Sequence, residues 1–519
     1  MKARWKILIA VGIFLAVFTA IWIMTMHVRP EKELGAYKKI LRDKGEKLEI
    51  SEVLPPSVPP ESNGVELVQS AFTLLDSSSS GGDWRNQPFM MQMVAPGKAL
   101  IGWQQPDVRG FDFTNSWDNV TAAAEASRSA REMLMQAAAY PAIDFQLDYD
   151  KWPDSSEMLM KYLSPLKRSA QSLAAAAMCD LHNGDSASAT TNICTLLALV
   201  QGEHSDRTLI AQLVRIAMTA IAADASWELL QSTNVNDAEL AKLQKNWERL
   251  EFIEPVENSL LMERAGTEVT IQKMRANPEN FNRYAGMMLV SSGSSGMGGS
   301  GDLLDELKDF WNKAKFAYAA SMWRSSWSYS DELRTLQSDQ IVLETLRAVE
   351  TNRVFNPAYT NMLNRLAVIG ITNEPDNWLL SKLDVPDYRR LFSEFSDSMS
   401  VVVRKTMAAE ASKRIVITAI ALRRFQLKHG NYPVDLNSLV PEFLVSVSLD
   451  PVDGKPLRYR LNADGTYLLY SVGDNGVDNG GVPGTLQSFY WLGISAPDWV
   501  WPQPATPAEV QYFYDHPPK

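Results

Sequence analysis

The stretch Ala411–Gly481, ASKRIVITAIALRRFQLKHGNYPVDLNSLVPEFLVSVSLDPVDGKPLRYRLNADGTYLLYSVGDNGVDNGG, carries more specific local signals than any other part of the chain. Ile415, Ile417, Ala419, Ile420, Leu422 and Leu427 supply the apolar positions of a helix, with Arg423 and Arg424 expected towards water or the last carbonyls. Gly430 suits the left-handed position after a helix and Pro433 forbids continuation, so HGNYP is a stop. Leu436, Leu439, Phe443 and Leu444 make a short amphipathic turn. Pro456–Leu461 alternates, with Leu457, Tyr459 and Leu461 on one face of a strand. Ala463-Asp464-Gly465 reads as a hairpin turn and Tyr467–Val472 as the returning strand. The oxygen-rich glycine loop DNGVDNGG follows.

Upstream of this stretch the pattern is helical from Pro386, about 60 Å if straight to Lys428, with a break expected near Ser398–Ser400. Downstream, Val482–Lys519 holds Phe489, Tyr490, Trp491, Trp499 and Trp501 among prolines, and is expected to pack back along the module and end in a disordered DHPPK.

Further towards the N-terminus, Trp117–Leu250 is dominated by helical patterning. The segment from Leu166 to Gly202 is a small-residue helix, a turn at Asn183-Gly184-Asp185 and a second helix, a tetratricopeptide-like hairpin without a repeating period. Leu209–Leu230 is apolar enough to suggest a membrane span, but Arg215 and Asp224 argue for a core helix. Asn236-Asp237 caps the next helix. Glu254, Glu257, Glu263 and Arg264 form a charged patch, read as a solvated or internally paired helix face. Ser291–Gly301, SSGSSGMGGSG, is a flexible loop by composition. Trp311, Phe316, Tyr318, Trp323, Trp327 and Tyr329 form an aromatic cluster read as packing, and Asp331–Asn352 is a further helix. Asp83–Phe113 shows little periodicity, and Leu54–Gly64 is a proline-rich extended segment after a charged helix at Glu31–Lys44.

Residues Ile7–Met26 run without a charge, long enough to cross about 30 Å of hydrocarbon. Lys2, Arg4 and Lys6 precede the run, and Trp5 and Trp22 lie near its ends. The length of the run and the lack of a clean A-x-A site at its end favour an uncleaved single-pass anchor in the inner membrane over a cleaved signal peptide, and the positive-inside rule expects a cytoplasmic N-terminus with a periplasmic or extracytoplasmic body. The 519 residues are 45% hydrophobic with a formal net charge of −11, which fits a folded protein and argues against a nucleic-acid partner. The two cysteines, Cys179 and Cys194, are out of register across the helical hairpin and are expected as buried free thiols.

LRRFQLKHGNYP, LDPVDGKPLRYR and GTYLLYSVGDNGVDNGG, in that order, resemble the globular part of major pseudopilins of type II secretion systems. Those proteins have a helix ending in a Gly-x-Tyr-Pro turn, an Asp-Pro segment and a Tyr-Ser-x-Gly-Asp-type loop. A pseudopilin carries its membrane helix directly before this module, whereas hundreds of residues intervene here. The whole chain resembles large envelope proteins of planctomycete and verrucomicrobial bacteria, which implies no activity. The pseudopilin resemblance implies calcium in the loop, held by Asp474 and Asp478 with Asn475 and the Val472 carbonyl.

The expected fold is mainly α with a small α+β C-terminal module. It comprises a transmembrane anchor (1–30), a mostly helical, partly tetratricopeptide-like domain (31–385), a module of long helix plus antiparallel hairpin (386–481) and a Pro/Trp-rich tail (482–519). H-E-x-x-H, G-x-S-x-G and phosphate-loop motifs are absent from the sequence, and its five histidines are scattered. Gly184-Asp185-Ser186 lies in a helix turn and reads as a cap. The expectation is a non-catalytic, membrane-anchored envelope protein acting through protein–protein interaction or assembly. The alternatives are an accessory component of a type II secretion or type IV pilus-like machine, and an extracytoplasmic hydrolase.

Overall fold

The computed structural model describes residues 28–77, 88, 90–110, 114–154, 156–291, 316–371, 388–393, 397–484 and 496–516, with Ile13, Phe14 and Val17. Most of the expected span at 7–26, most of the glycine–serine loop at 291–301, Trp311 and the aromatic residues 489–491 lie outside the described residues.

The fold is mostly helical with small sheets. The N-terminal part contains α1 (Arg29–Asp43), α2 (Ile50–Val53), α3 (Val65–Ser77), α4 (Trp117–Ala126) and α5 (Arg128–Ala137). The body follows with α6 (Ser156–His182), α7 (Ser186–Gly202), α8 (Leu209–Leu230), α9 (Asp237–Glu248), α10 (Ile253–Ala276) and α11 (Pro278–Ser291). Beyond it come α12 (Ser328–Asn352), α13 (Ala358–Val368), α14 (Asp397–His429) and α15 (Pro507–Asp515).

Local chemistry sets the hairpin between α6 and α7. Gly184 takes φ +80°, Asp185 N–H returns to the Asp180 carbonyl at 2.8 Å, and the Asp185 carboxylate accepts from Ser188 N–H at 2.9 Å. Gly-Asp-Ser is therefore a helix stop followed by a helix cap. Cys179 and Cys194 are buried and unbonded to each other, and burial pushes the Cys194 thiol up to about 11. α9 begins with a capping box in which Asn236 and Glu239 satisfy each other's backbone N–H groups.

Among the described residues, α8 is the helix long and apolar enough to cross a membrane, and it lies in the core. Met218, Ala222, Trp227 and Leu229 are fully buried, and each large side chain contributes about 1.5–3 kcal/mol by leaving water. Arg215 is fully buried too. Its guanidinium is satisfied by the Val200 carbonyl at 2.8 Å and the Glu251 carbonyl at 3.1 Å, which are protein partners that lipid could not supply. α8 packs on α6, α7 and α14, while α14 also packs on α9 and on the C-terminal sheet. One hydrophobic cluster runs from Ile50 to Trp501.

Several expectations are corrected. The helical run expected from Pro386 is not one helix: a 3₁₀ turn at Tyr388–Arg390 comes first, and α14 starts at Asp397, just ahead of the expected break at Ser398–Ser400, and continues for about 50 Å. Arg423 and Arg424 do not point to water: Arg423 donates to the Ser232 carbonyl at 3.0 Å and Arg424 to Asp237 at 2.7 Å, tying α14 to the start of α9. The aperiodic region before residue 113 contains β1 (Gln92–Ala95), β2 (Lys98–Leu100) and β3 (Val108–Arg109), and β4 (Thr114–Asn115) pairs with β3. These strands are too short to print an alternating pattern.

The hairpin is β5 (Arg458–Leu461) and β6 (Tyr467–Val472), with Arg458 opposite Tyr470. The tail adds more order than its composition suggested. β7 (Asp498–Val500) pairs antiparallel with β6, and β8 (Gln503–Pro504) pairs parallel with β2. Trp227 Nε1 donates to the Pro502 carbonyl at 2.9 Å, so the tail ties the two sheets to the core helix. α15 then starts from a Thr506–Glu509 capping box and reaches Asp515 in the expected disordered end.

Candidate functional site in the acidic loops of the C-terminal module

The module's loops are built from a helix stop outward. α14 ends before Gly430 at φ +82°, and the chain returns through a short 3₁₀ turn at Leu436–Leu439 to Leu449-Asp450-Pro451. The Asp450 carbonyl accepts from Gly454 N–H at 2.9 Å and Asp450 N–H donates to the Lys455 carbonyl at 2.7 Å, closing an Asp-Pro-Val-Asp-Gly turn. β5 and β6 follow, and the second acidic loop leaves β6 at Gly473.

Asp450 is fully buried at the junction. It accepts from Val452 N–H, Val472 N–H and Ser471 Oγ at 2.8–2.9 Å, and from Arg458 Nη1 at 2.9 Å. Burial pushes its carboxyl up, against the pull of these donors. Arg458 reaches two further carboxylates: Asp453 at 2.6 and 3.0 Å, and Asp478 at 3.1 Å. One guanidinium thus faces three acids, and the hydrogen bonds it donates to Asp453 lead in raising its proton affinity further. Asp498, also fully buried, accepts from Asn479, Gly481 and Val482 N–H at 3.2, 2.9 and 3.0 Å.

The expected calcium ligands do not converge. Asp474 is half-buried and faces Arg404 of α14 at 3.6 Å; burial raises its carboxyl and Arg404 opposes the rise. Asp478 accepts from Gly480 N–H at 3.0 Å, Tyr470 Oη at 2.9 Å and Arg458 Nε, and the Gly480 bond leads in holding its carboxyl low. Asn475 Oδ1 accepts from Val477 N–H at 2.9 Å, and the Val472 carbonyl lies 3.0 Å from Ser471 Oγ, whose single proton it would share with Asp450. Calcium needs about six to eight oxygens around one point. Here the two carboxylates address two different arginines, so this donor set does not fit a calcium shell.

Sequence reasoning missed Asp450, Asp453, Arg458, Arg404 and Asp498. The signal for the first three was present, since LDPVDGKPLR sets two acids and an arginine within nine residues. Asp498 and Arg404 enter only through tertiary contacts.

Elsewhere, polar groups that drew notice in sequence turn to separate partners. Glu257 pairs with Arg347 at 2.7 Å, Arg264 with Glu46 at 3.0 Å, and Glu263 accepts from Leu209 N–H at 3.2 Å. His182 Nδ1 bonds the Trp103 carbonyl and its ring stacks on Trp117, while the His429 ring lies against Phe425. Trp323 is fully buried between Phe281 and Phe392, as packing required, whereas Tyr318 of the same cluster is 63% exposed and departs from that expectation. A groove of about 590 Å³ opens between α1, α2 and α10, lined by Lys38, Arg42, Glu49, Asp150, Glu268 and Lys273. Its charges are largely paired internally: Lys38 with Glu268 and Glu332, and Arg42 with Glu49 and Glu52.

Neither a protein-family model nor a curated protein nor a solved structure matches this chain, so its chemistry rests on the geometry above.

Proposed function

We propose that this chain is a non-catalytic, single-pass membrane protein whose body outside the cytoplasm acts through protein–protein contact. The observation that carries this reading is what the buried acids do. Glu228, Asp331, Asp450 and Asp498 are fully buried, and each holds two or more backbone N–H groups. Glu228 holds Met91 and Gly102, Asp331 holds Phe392 and Ser393, and Asp450 and Asp498 hold the module's loops. Carboxylates used this way fix the shape of loops. A molecule organised to hold its loops still presents a constant outer surface, which is what a docking protein needs.

The anchor at residues 7–26 is supported by the uncharged run and by Ile13, Phe14 and Val17, which are helical with apolar side chains exposed by half or more. The C-terminal module enters this reading as a pseudopilin-like element joined to the helical body through α14. Inner-membrane residence with a cytoplasmic N-terminus follows from the flanking charges.

Carbonate washing of membranes and protease treatment of spheroplasts test the anchor and its orientation. Release by carbonate, or protection of the body from external protease, would sink that part. In-cell crosslinking with mass spectrometry tests the contact role. Recovery in stoichiometric complex with secretion or pilus components would move the assignment to an accessory part of such a machine. Turnover of an ester, peptide or glycoside by the purified chain would replace it with a hydrolase.

A further inference from the structure

The two acidic loops of the module lie against the turn that follows α12. Phe355 N–H donates to the Pro451 carbonyl at 2.8 Å and Asn356 N–H to the Val452 carbonyl at 2.9 Å, so the turn after α12 is bonded strand-like to the Asp-Pro loop. Phe355 is fully buried. A Cβ on Gly454 would lie 2.7 Å from Val354, and one on Gly476 would lie 2.2 Å from the Asn356 amide. Both glycines have positive φ, +74° and +67°, so each loop is shaped to approach this turn closely. Arg404, reaching from α14 to Asp474, closes the same corner.

Five aspartates occupy these loops and the adjoining β7: Asp450, Asp453, Asp474, Asp478 and Asp498. Left uncompensated they would repel one another. Arg458 faces three of them, Arg404 a fourth, and Asp498 is answered by three backbone N–H groups. The negative charge is met inside the fold.

We propose that the Arg458 guanidinium is the cation around which the acidic loops close, so that they grip the Val354–Pro357 turn of this same chain without a metal ion. Arg458 suits the task because its planar fork presents donors in several directions, and three carboxylates take them. Calcium would have to displace a guanidinium bonded on three sides. The inference concerns the module's internal closure and stands whether or not the docking role above is correct.

The test uses the full chain in detergent, with calcium chloride and EDTA as probes. Hydrogen exchange by mass spectrometry is followed in peptides covering Asp450–Gly454, Phe355–Asn356 and Gly473–Gly481. The expected result is the same exchange in EDTA and in millimolar calcium, with no saturable heat of calcium binding. A one-to-one calcium isotherm that slows exchange in these loops would overturn the proposal. Arg458→Ala is expected to speed exchange in all three peptides about tenfold while α6–α8 are unchanged, because the loops then open locally. Exchange equal to wild type in that variant would also overturn it. If Arg458→Ala does not fold, Arg458→Lys serves: an ammonium lacks the planar fork that spreads donors across the three acids, so faster exchange is expected, and wild-type exchange counts against the fork.

Discussion

Glu46 and Glu228 are buried carboxylates at two places in the helical body, and their surroundings drive them in opposite directions. Glu46 lies where α1 gives way to α2 and meets Arg264, Gln340 and Arg347. Burial alone pushes it up, but the hydrogen bonds from Arg347, Gln340 and Arg264 overcome this and hold it at about 2. Glu228, on α8, holds the Met91 and Gly102 N–H groups and has no cation against it. Burial pushes it up to about 8, and the backbone dipoles reduce that rise only in part. The same residue type thus makes a charged lock in one place and a largely protonated one in the other. What decides is whether a guanidinium shares the site.

The largest expected effect comes from removing that guanidinium. Arg264→Met keeps much of the volume but leaves Glu46 with one arginine fewer, and is expected to cost about 3–5 kcal/mol in chemical denaturation. A loss below about 1 kcal/mol would mean the pair is dispensable and the comparison fails.

Glu228→Ala attacks the uncharged lock. It orphans the buried Met91 N–H, at a cost of about 1–3 kcal/mol, and the part-buried Gly102 N–H, at less. The loss should appear as faster exchange in β1, β2 and the following turn, with the base around Glu46 untouched. Loss spread evenly over the molecule would argue that Glu228 is not a local lock.

The pH response sharpens the contrast. Glu228 has its folded value raised from 4.5 to about 8, so its contribution is full below about pH 4.5 and is lost as pH rises through 8. Glu46 has its value lowered to about 2, so its contribution is present above about pH 4.5 and is lost as pH falls through 2. Glu228→Gln can keep both amide bonds on Oε1 and removes the titration. It should flatten the stability curve between about pH 4.5 and 8, by at most about 1.4 kcal/mol per pH unit. An unchanged slope between pH 5 and 8 would assign the loss to another group.

The smallest effect sets the floor of the comparison. Lys428 and Glu442 form an ion pair with both side chains about half exposed. Lys428→Ala is expected to change the denaturation midpoint by less than about 0.5 kcal/mol, because water and salt already screen that pair. A larger loss would mean that exposed pairs matter here as much as buried ones.

Legibility follows the range of the interactions. The helix stop at Gly430–Pro433, the cap at Asp185, the capping at Asn236 and the hairpin β5–β6 were all readable, because each depends on residues a few positions apart. Leu209–Leu230 was rightly read as a core helix from Arg215, a charge that a lipid-facing helix would not carry. The strands β1–β4 were not readable because two to four residues are too few to print an alternation, and the tail strands β7 and β8 were not readable because they pair with β6 and β2, which lie farther away along the chain. The candidate site was half legible: Asp474 and Asp478 were singled out by their loop, but their arginine partners come from α14 and β5.

The sequence by itself determined the helices, their stops and caps, and the acidic, glycine-rich character of the C-terminal loops, because local hydrogen bonding and apolar periodicity act over a few residues. Only the tertiary structure decided which cation each buried acid meets. Glu46 is answered by arginines more than two hundred residues away, Asp478 by one twenty residues away and Glu228 by none. That choice sets the charge of each site, because a carboxylate in low dielectric keeps its charge only where an opposite charge or enough donors are brought to it.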